Sequence, residues 1–471
     1  MTAMSATDPN PADSSPARTV ERLRASFNEG VTRPLRWRRE QLVALKALLT
    51  DNEDRLLQAL ADDLGKSPTE AYATEIGVTL ADLDHTLKHL DEWVEPRRVK
   101  VPVTQKPGRA EIVPEPFGVA LVMSPWNYPV HLVVTPLVAA IAAGNAVLVK
   151  PSEVSAATSA VLGDLIRRHL DPSALAVLEG GPDVAKEVLA QRFDHIFFTG
   201  STALGRSVMA AAASHLTPVV LELGGKSPAI VHRSANLAVT ARRLVFGRFV
   251  NAGQTCVAPD HVLVDDVVHD ELVEQLVRAI GNFYDDDPRT SNDYGRIVND
   301  RHLQRLQGLL GGGGYDHVAC GGEVVATDRY IAPTVLTGVS PEAPVMDEEI
   351  FGPILPVLGV PSIDEAIRFV NDRPKPLALY VFAEDDDVVD RVIERTSSGG
   401  VCANHTLMQL GVPDLPFGGV GDSGMGSYHG RAGFDAFSHH KSVLRKSTRP
   451  DPSVLYPPYG RWKAKMIRSA L

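Results

Sequence analysis

The sequence predicts an α/β protein built on two doubly wound parallel sheets, and three observations support this. The chain has 471 residues, 44% of them hydrophobic, which is enough for two or three domains with buried cores. From Val119 onward, short apolar runs alternate with segments of helical length, as in parallel sheets covered by helices. A second series of the same kind follows Gly225.

The first part of the chain precedes this alternation. Residues 1–16 are rich in Pro, Ser and Asp and lack the apolar core of a secretory signal, so we expect them to be disordered. Residues 17–95 carry apolar and charged residues at helical spacing, up to Pro96. The stretch VKVPVTQKPGRAEIV that follows predicts extended segments around a Lys-Pro-Gly-Arg turn.

The first alternating series contains the strand candidates VALVMS, AVLVK, LAVLEG, HIFFTG and PVVLEL, with helical segments between them. The second contains the helix NLAVTARRLVFGRFV, the strand HVLVDD and the helix ELVEQLVRAIGNF. The segment FDAFSHHKSVLRKS predicts a terminal strand. The longest apolar run, 132–149, is interrupted by Pro136 and Gly144 and is shorter than the roughly 20 residues of a membrane span. It predicts a buried helix followed by a strand.

Composition excludes several classes of function. The formal net charge of −11 argues against a general nucleic-acid-binding protein. The three cysteines do not form a disulfide framework, so we expect a reducing, cytoplasmic location. None of the Cys and His spacings is typical of metal ligands, and we therefore predict no metal site.

A dinucleotide-binding sheet usually carries GxGxxG at its first turn, and this chain lacks that pattern. The nearest feature is FTGSTALG, in which Gly200 and Gly205 flank a helix start with Ser201 or Thr202 as its cap. Such a helix N-terminus can hold a pyrophosphate. A capped turn without a ligand is the alternative.

Two segments contain candidate catalytic residues. Cys256 lies in FVNAGQTCVAPD, where it is either a buried small hydrophobe or a nucleophile that needs a base or a lowered pKa. Glu222 ends the apolar strand PVVLEL, and ligands bind at the carboxyl ends of parallel strands. A carboxylate inside such a strand is costly unless it is paired or functional. An exposed strand-end carboxylate is the alternative.

Each of three further segments allows two interpretations, one in which it binds a ligand and a plainer, structural one. Asn127, in SPWNYP, either caps a helix or donates to an oxyanion. Lys150 and Glu153, in VLVKPSE, either bind ribose hydroxyls or form a solvated turn. Glu349 and Phe351, in EEIFGP, either hold a second ribose and its nicotinamide or form a charged turn before a strand.

Together these segments resemble the aldehyde dehydrogenase superfamily, from roughly Thr19 to Arg445. The motifs FVNAGQTCVAPD, LELGGKSP, SPWNYP, KPSE, FTGS, EEIFGP and LPFGGVGDSGMGSYHG are those of the family, and Glu222 precedes Cys256 by 34 residues, as it typically does there. RYIAPTVL and FDAFSHHKSVL resemble class 3, the branch of fatty-aldehyde and coniferyl-aldehyde dehydrogenases. Ala252 departs from that branch, whose members often have a second cysteine there.

The resemblance implies an NAD(P)-dependent oxidation of a medium- or long-chain aliphatic or an aromatic aldehyde. Cys256 would attack the aldehyde, and Asn127 with the Cys256 N–H would stabilise the oxyanion. Hydride transfer would leave a thioester, which Glu222 would hydrolyse as general base. Because relatives that pass the acyl group to coenzyme A commonly lack this glutamate, Glu222 favours release of a free acid.

The resemblance also implies binding residues. Glu153 would hydrogen-bond a ribose 2′-hydroxyl and so favours NAD, although class 3 enzymes with such a glutamate often accept NADP as well. For the substrate, it implies contacts with Tyr128, Asn404 and Phe417. The implied cofactor-binding residues are Trp126, Lys150, Glu153, Gly200, Ser201, Leu223, Gly224, Glu349 and Phe351.

The implied fold is aldehyde-dehydrogenase-like, with a small β element for oligomerisation. We expect an NAD(P)-binding domain in residues 17–98 and 119–224 and a catalytic domain in 225–430. Residues 99–118 and 431–448 would form the oligomerisation strands of a homodimer.

Two alternatives remain open at this point. One is a catalytically silent structural or binding member of the same fold, against which Cys256, Glu222 and Asn127 all argue. The other concerns the tail, residues 449–471, whose basic and aromatic residues either pack or are solvated, or make a weak peripheral contact with a membrane.

Overall fold

The computed structural model describes residues 15–470. Residues 1–14, most of the segment expected to be disordered, lie outside this range. The first helix already begins at Pro16, and the Ser15 hydroxyl caps it by accepting a hydrogen bond from the Arg18 N–H at 3.4 Å.

The helices follow the predicted apolar spacing; the second, for example, buries Leu42, Leu45 and Leu49 on one face. In chain order they are α1 (Pro16–Asn28), α2 (Leu35–Asp51), α3 (Glu53–Leu64), α4 (Pro68–Ala71), α5 (Gly77–Val94), α6 (His131–Ala143), α7 (Ala156–His169), α8 (Pro182–Leu189), α9 (Thr202–Ala213), α10 (Leu237–Phe249), α11 (His269–Tyr284), α12 (Asp300–Gly311), α13 (Pro344–Asp347), α14 (Ile363–Asn371), α15 (Asp386–Arg395), α16 (Gly430–Ala436) and α17 (Arg461–Ala470).

The buried strands of the two large sheets, such as Val119–Met123, Ala146–Lys150 and His261–Asp265, coincide with apolar runs. In chain order the strands are β1 (Arg97–Val99), β2 (Gly108–Pro116), β3 (Val119–Met123), β4 (Ala146–Lys150), β5 (Leu175–Val177), β6 (His195–Thr199), β7 (Val219–Glu222), β8 (Pro228–Val231), β9 (His261–Asp265), β10 (His317–Cys320), β11 (Val324–Val325), β12 (Tyr330–Ile331), β13 (Thr334–Thr337), β14 (Ile354–Val360), β15 (Ala378–Phe382), β16 (Gly400–Ala403), β17 (Gly424–Met425) and β18 (Ser438–Lys446).

The first large sheet has the order β17-β7-β6-β3-β4-β5, and all of its pairs are parallel except that of β17 with β7. Lys150 pairs with Met123, and Glu222 pairs with Thr199, so these strand ends lie at one edge of the sheet. The apolar run 132–149 forms the fully buried helix α6 and then β4, as predicted. The edge therefore gathers the segments that carry most of the candidate residues.

The second large sheet has the order β10-β13-β14-β9-β8-β15-β16 and is parallel except for the pair of β10 with β13. A separate antiparallel sheet, β1-β2-β18, pairs Ser438–Lys446 with Gly108–Pro116 along their whole length. The predicted fold class is confirmed: two mostly parallel sheets with helices and a small antiparallel element.

The C-terminal part of the chain differs from the prediction in one place. FDAFSHHKSVLRKS is not one strand, because its first three residues belong to α16 and β18 begins only at Ser438. The tail ends in α17, from which Trp462 projects with 66% of its surface exposed. Within residues 15–470, we find no helix that is both long and apolar enough to cross a membrane.

Candidate active site

Two cavities meet at Cys256. One has a volume of about 690 Å³ and the other about 950 Å³, and Cys256 lines both. Volumes of this size are typical of sites for small molecules and cofactors. We call the smaller one the apolar cavity and the larger one the polar cavity, from the side chains that line them.

The apolar cavity is walled largely by aromatic and aliphatic side chains. Tyr128 and Phe417, two of the three residues predicted to contact substrate, line it. Asn404 is not part of this wall, because its side-chain amide both donates to the Ala383 carbonyl and accepts from the Ala383 N–H. Other lining residues include Leu132, Phe246, Val250, Val257, Phe283 and Leu410.

The polar cavity opens at the carboxyl ends of β6 and β7. Seven of the nine residues predicted to bind cofactor line it: Trp126, Gly200, Ser201, Leu223, Gly224, Glu349 and Phe351. The rings of Trp126 and Phe351 meet edge to face, with their centroids 5.3 Å apart. Most of the residues predicted to bind cofactor therefore lie in this wall.

The cavity suits a dinucleotide. Ser201 caps α9 by accepting from the Leu204 N–H, so the helix N-terminus, where an anion is stabilised, lies at the wall. The buried Thr199 hydroxyl in the same wall has no partner within the described part of the chain. A Cβ on Gly224 would come within 1.9 Å of Glu349 Oε2, so only glycine lets this carboxylate approach the backbone.

Lys150 and Glu153 are placed differently. Neither is among the residues that line the polar cavity. Lys150 Nζ donates to Glu153 Oε2 at 3.0 Å and to the Pro151 carbonyl at 2.9 Å. The two side chains therefore form a pair at the end of β4.

Cys256 lies in a loop with a constrained backbone. Asn251 and Ala252, just before it, have φ of 54° and 50°, which non-glycine residues rarely adopt away from functional sites. Burial first, and then the charges of Glu349 and Glu222, raise the pKa of the Cys256 thiol to about 12. The thiol is therefore protonated at neutral pH in the chain alone.

Glu222 is buried, with 2% of its surface exposed, so the interpretation as an exposed strand-end carboxylate is wrong. Among the described residues, neither of its carboxyl oxygens has a hydrogen-bond partner. Burial raises the pKa of Glu222 well above its usual value. An unpaired carboxyl at this depth is costly, which is typical of a functional group.

Asn127 lines the polar cavity beside these two residues. Its side-chain Nδ2 donates to the Gln254 carbonyl at 3.0 Å, two residues before Cys256. The capping alternative is wrong, since α6 begins at His131 and its N-cap residue, Val130, makes no side-chain cap bond. An amide nitrogen carries two hydrogens, so a second one remains for an oxyanion at Cys256.

The sequence matches the aldehyde dehydrogenase family over residues 11–443. The chain belongs to the aldehyde dehydrogenase family. It is 48% identical over 442 residues to the "aldehyde dehydrogenase, dimeric NADP-preferring" of Rattus norvegicus, covering 93% of this chain and 97% of that one. It is 47% identical over 453 residues to "aldehyde dehydrogenase family 3 member A2" of Mus musculus, covering 96% and 93%.

A solved structure described as the substrate-bound state of Staphylococcus aureus AldH superposes with a TM-score of 0.94. It is 45% identical and covers 96% of this chain and 98% of its own. The resemblance to class 3 is thereby confirmed, and the enzyme is an aldehyde dehydrogenase of the kind that uses NAD(P). The alternative of a catalytically silent member has no support.

The enzyme also contains a buried clamp that the sequence reasoning missed. Lys226 Nζ donates to Asp260. It also donates to the carbonyls of Val345 and Glu348, at 2.9 Å in both cases. Asp260 Oδ1 in turn accepts from the Ile350 N–H at 2.9 Å. The clamp fixes the segment on both sides of Glu349.

A signal for this clamp was present in the sequence. Lys226 lies in LELGGKSP and Asp260 ends FVNAGQTCVAPD, so each signature contributes one charge. Opposite charges in two motifs that share a site are the pattern that could have predicted the pair.

Burial and the charge of Asp260 raise the pKa of Glu349 to about 8, while the Gly225 N–H that donates to it acts in the opposite direction.

Proposed function

We propose that this aldehyde dehydrogenase oxidises medium- or long-chain aliphatic or aromatic aldehydes to free carboxylic acids, with Cys256 as nucleophile and Glu222 as general base. The observation that carries the proposal is the position of Cys256, which is shared by the apolar cavity and the polar cavity. A carbonyl carbon at the sulfur would have its apolar tail in one cavity and a hydride acceptor in the other.

The walls of the apolar cavity support the substrate class. Among the described residues that line it, none is Lys or Arg, whereas Glu70 and Asp293 are present. An aldehyde that also carries a carboxylate would therefore find no counter-charge there. A neutral aldehyde with an apolar body fits these walls best.

The first steps form a covalent intermediate on Cys256. Its sulfur bonds to the carbonyl carbon, and the thiol proton ends on the carbonyl oxygen, which gives a thiohemiacetal. The Asn127 amide and the Cys256 N–H stabilise the negative charge that develops on this oxygen during attack. A nicotinamide cofactor held by the wall of the polar cavity would supply the acceptor for the hydride of this carbon, and the hydroxyl proton would pass to water as the thioester forms.

Glu222 acts in the next step. It takes a proton from water as the water oxygen attacks the thioester carbon. The carbon–sulfur bond then breaks, and the leaving sulfur takes up the proton held by Glu222, which gives the acid and the free thiol. Its raised pKa makes the ionised carboxylate a stronger base than an exposed glutamate.

For the cofactor we propose NAD as the preferred form, with NADP accepted. The wall of the polar cavity fits the pyrophosphate and the nicotinamide half, while Glu153, 41% exposed in its pair with Lys150, would bind a ribose 2′-hydroxyl and repel a 2′-phosphate. A relative is named NADP-preferring, so the preference needs a measurement. A larger kcat/KM for NADP than for NAD would contradict it.

The nucleophile is tested with two cysteine variants. Cys256→Ala should abolish NADH formation from a panel of aliphatic, benzylic and cinnamyl aldehydes, because the covalent path is lost. Cys402→Ala is the matched control. Because the Cys402 thiol is partly buried in β16, away from Cys256 in the sequence, its removal should leave the rate unchanged. NADH formation by Cys256→Ala at the wild-type rate would remove Cys256 from the mechanism.

A further inference from the structure

A fully buried ion pair lies behind the loop that carries Asn127. Lys66 Nζ is 2.6 Å from Glu75 Oε1, and both side chains are 0% exposed. Lys66 follows the end of α3, and Glu75 lies in a π-helical turn, Tyr72–Ile76, between α4 and α5. Such turns occur mostly at functional sites, and a buried pair of charges is expensive to form.

Among the described residues, the other side-chain hydrogen bonds of the pair are made with the Asn127 loop and the start of α6. Lys66 Nζ donates to the Asn127 carbonyl at 3.1 Å and lies 4.0 Å from the centre of the Tyr128 ring. Glu75 Oε2 accepts from the N–H groups of Val130 and His131 at 2.9 and 3.1 Å, at the start of α6. The pair therefore holds the loop on both sides of the Asn127 amide.

The same stretch of chain also holds the loop that carries Cys256. Glu70 Oε1 accepts from the Asn251 N–H at 2.8 Å, and Asn251 Nδ2 donates to the Asn127 carbonyl at 2.8 Å. The Asn127 carbonyl is thus fixed by Lys66 from one side and by Asn251 from the other. Residues 66–75 connect the two loops whose spacing an oxyanion site requires.

We propose that Lys66 and Glu75 are positioning residues that set the Asn127 amide against the carbonyl oxygen of an aldehyde bound at Cys256. The proposal rests on the role given to Asn127 in the proposed function. A salt bridge with only a structural role would affect stability alone. These two charges should instead be needed for the rate of hydride transfer even in a variant that folds without them.

The test compares Lys66→Met with the double variant Lys66→Met/Glu75→Leu. The single variant leaves a buried carboxyl without its partner and should lower the Tm. The double variant should regain part of this loss, because an apolar pair can replace buried charges even though the Val130 and His131 N–H groups lose their acceptor. In the double variant, the single-turnover rate of hydride transfer should stay about 10- to 100-fold below wild type. The KM for NAD and the rate of Cys256 alkylation by iodoacetamide should remain within about twofold.

Lys46→Met is the matched control, because Lys46 forms an exposed ion pair with Asp84 in the same helical region. This substitution should leave the Tm, the rate of hydride transfer, the KM for NAD and the rate of alkylation unchanged. A double variant with a wild-type rate of hydride transfer would overturn the positioning role. So would a parallel loss of alkylation, which would show that the Cys256 loop itself is disrupted. Failure of the wild-type enzyme to form NADH would instead overturn the proposed function.

Discussion

The thiol of Cys256 lies between two cavities and next to two carboxyl groups, Glu222 and Glu349, that oppose its ionisation. Because its pKa is about 12, Cys256 is a protonated thiol at neutral pH in the chain alone. The proton must therefore be lost during attack on the substrate rather than before it.

This state predicts the pH dependence of alkylation without cofactor or aldehyde. Raising the pH increases the thiolate fraction about tenfold per unit as long as the pH is below the pKa. The rate of Cys256 alkylation by iodoacetamide, followed by mass spectrometry of its peptide, should thus rise steadily between about pH 7 and 10. A plateau near pH 9 would show an ordinary thiol and contradict the burial argument.

At the residue scale, the sequence could identify groups whose chemistry is unusual for their position. Glu222 was recognisable as a costly carboxylate in an apolar strand, and it is buried and unpaired as that cost implies. The placement of Lys150, Glu153 and Asn404 was not predictable, because a strand end fixes the edge of the sheet but not the direction of a side chain. Lys66 and Glu75 were missed because their partners in the Asn127 loop lie more than 50 residues away in the sequence.

At the scale of elements, the Lys226–Asp260 clamp connects the segment around Glu349 to two motifs, LELGGKSP with Lys226 and FVNAGQTCVAPD with Asp260. Lys226→Met should free this segment and raise the KM for NAD(P) by about tenfold. It should also lower the free energy of unfolding by about 3 kcal/mol, because Asp260 loses its nearest charged partner in the interior.

Steady-state kinetics and urea unfolding measure these two effects. The control is Lys186→Met, which breaks an exposed pair with Asp183 at 3.8 Å and should change neither quantity. An unchanged KM in a destabilised Lys226→Met enzyme would limit the clamp to the fold.

Long periodic elements were predictable, and short ones were not. The five strand candidates between Val119 and Glu222 all form strands, because buried parallel strands are continuous apolar runs. β17 has only two residues and returns from the second half of the chain to pair with β7, so no periodicity marks it. α16 has seven residues, too few for helical spacing to stand out beside the strand that follows.

At the scale of the whole molecule, the small sheet β1-β2-β18 leaves β18 at its edge. That this edge joins two copies into a homodimer stays a prediction, and one relative is named as dimeric. For the tail, the packed or solvated form and the weak membrane contact stay as alternatives, and α17 with its exposed Trp462 is the segment to examine.

The dimer is tested at Leu444, which lies on β18 opposite Ala110 and has 51% of its surface exposed. Leu444→Glu should shift sedimentation from dimer to monomer, because a charge on each copy would oppose burial of this surface. Val267→Glu, at a site 69% exposed and distant in sequence, should sediment like wild type. A Leu444→Glu dimer of unchanged stability would place the interface elsewhere.

The central claim is a thioester on Cys256 that Glu222 hydrolyses, and the most direct measurement is to trap it. Glu222→Gln keeps the size of the side chain but cannot accept a proton from water. Mixed with NAD and an aldehyde, this variant should release about one equivalent of NADH and keep the acyl group on the Cys256 peptide, as seen by mass spectrometry. Steady turnover at the wild-type rate, or NADH release with an unmodified Cys256 peptide, would contradict the account.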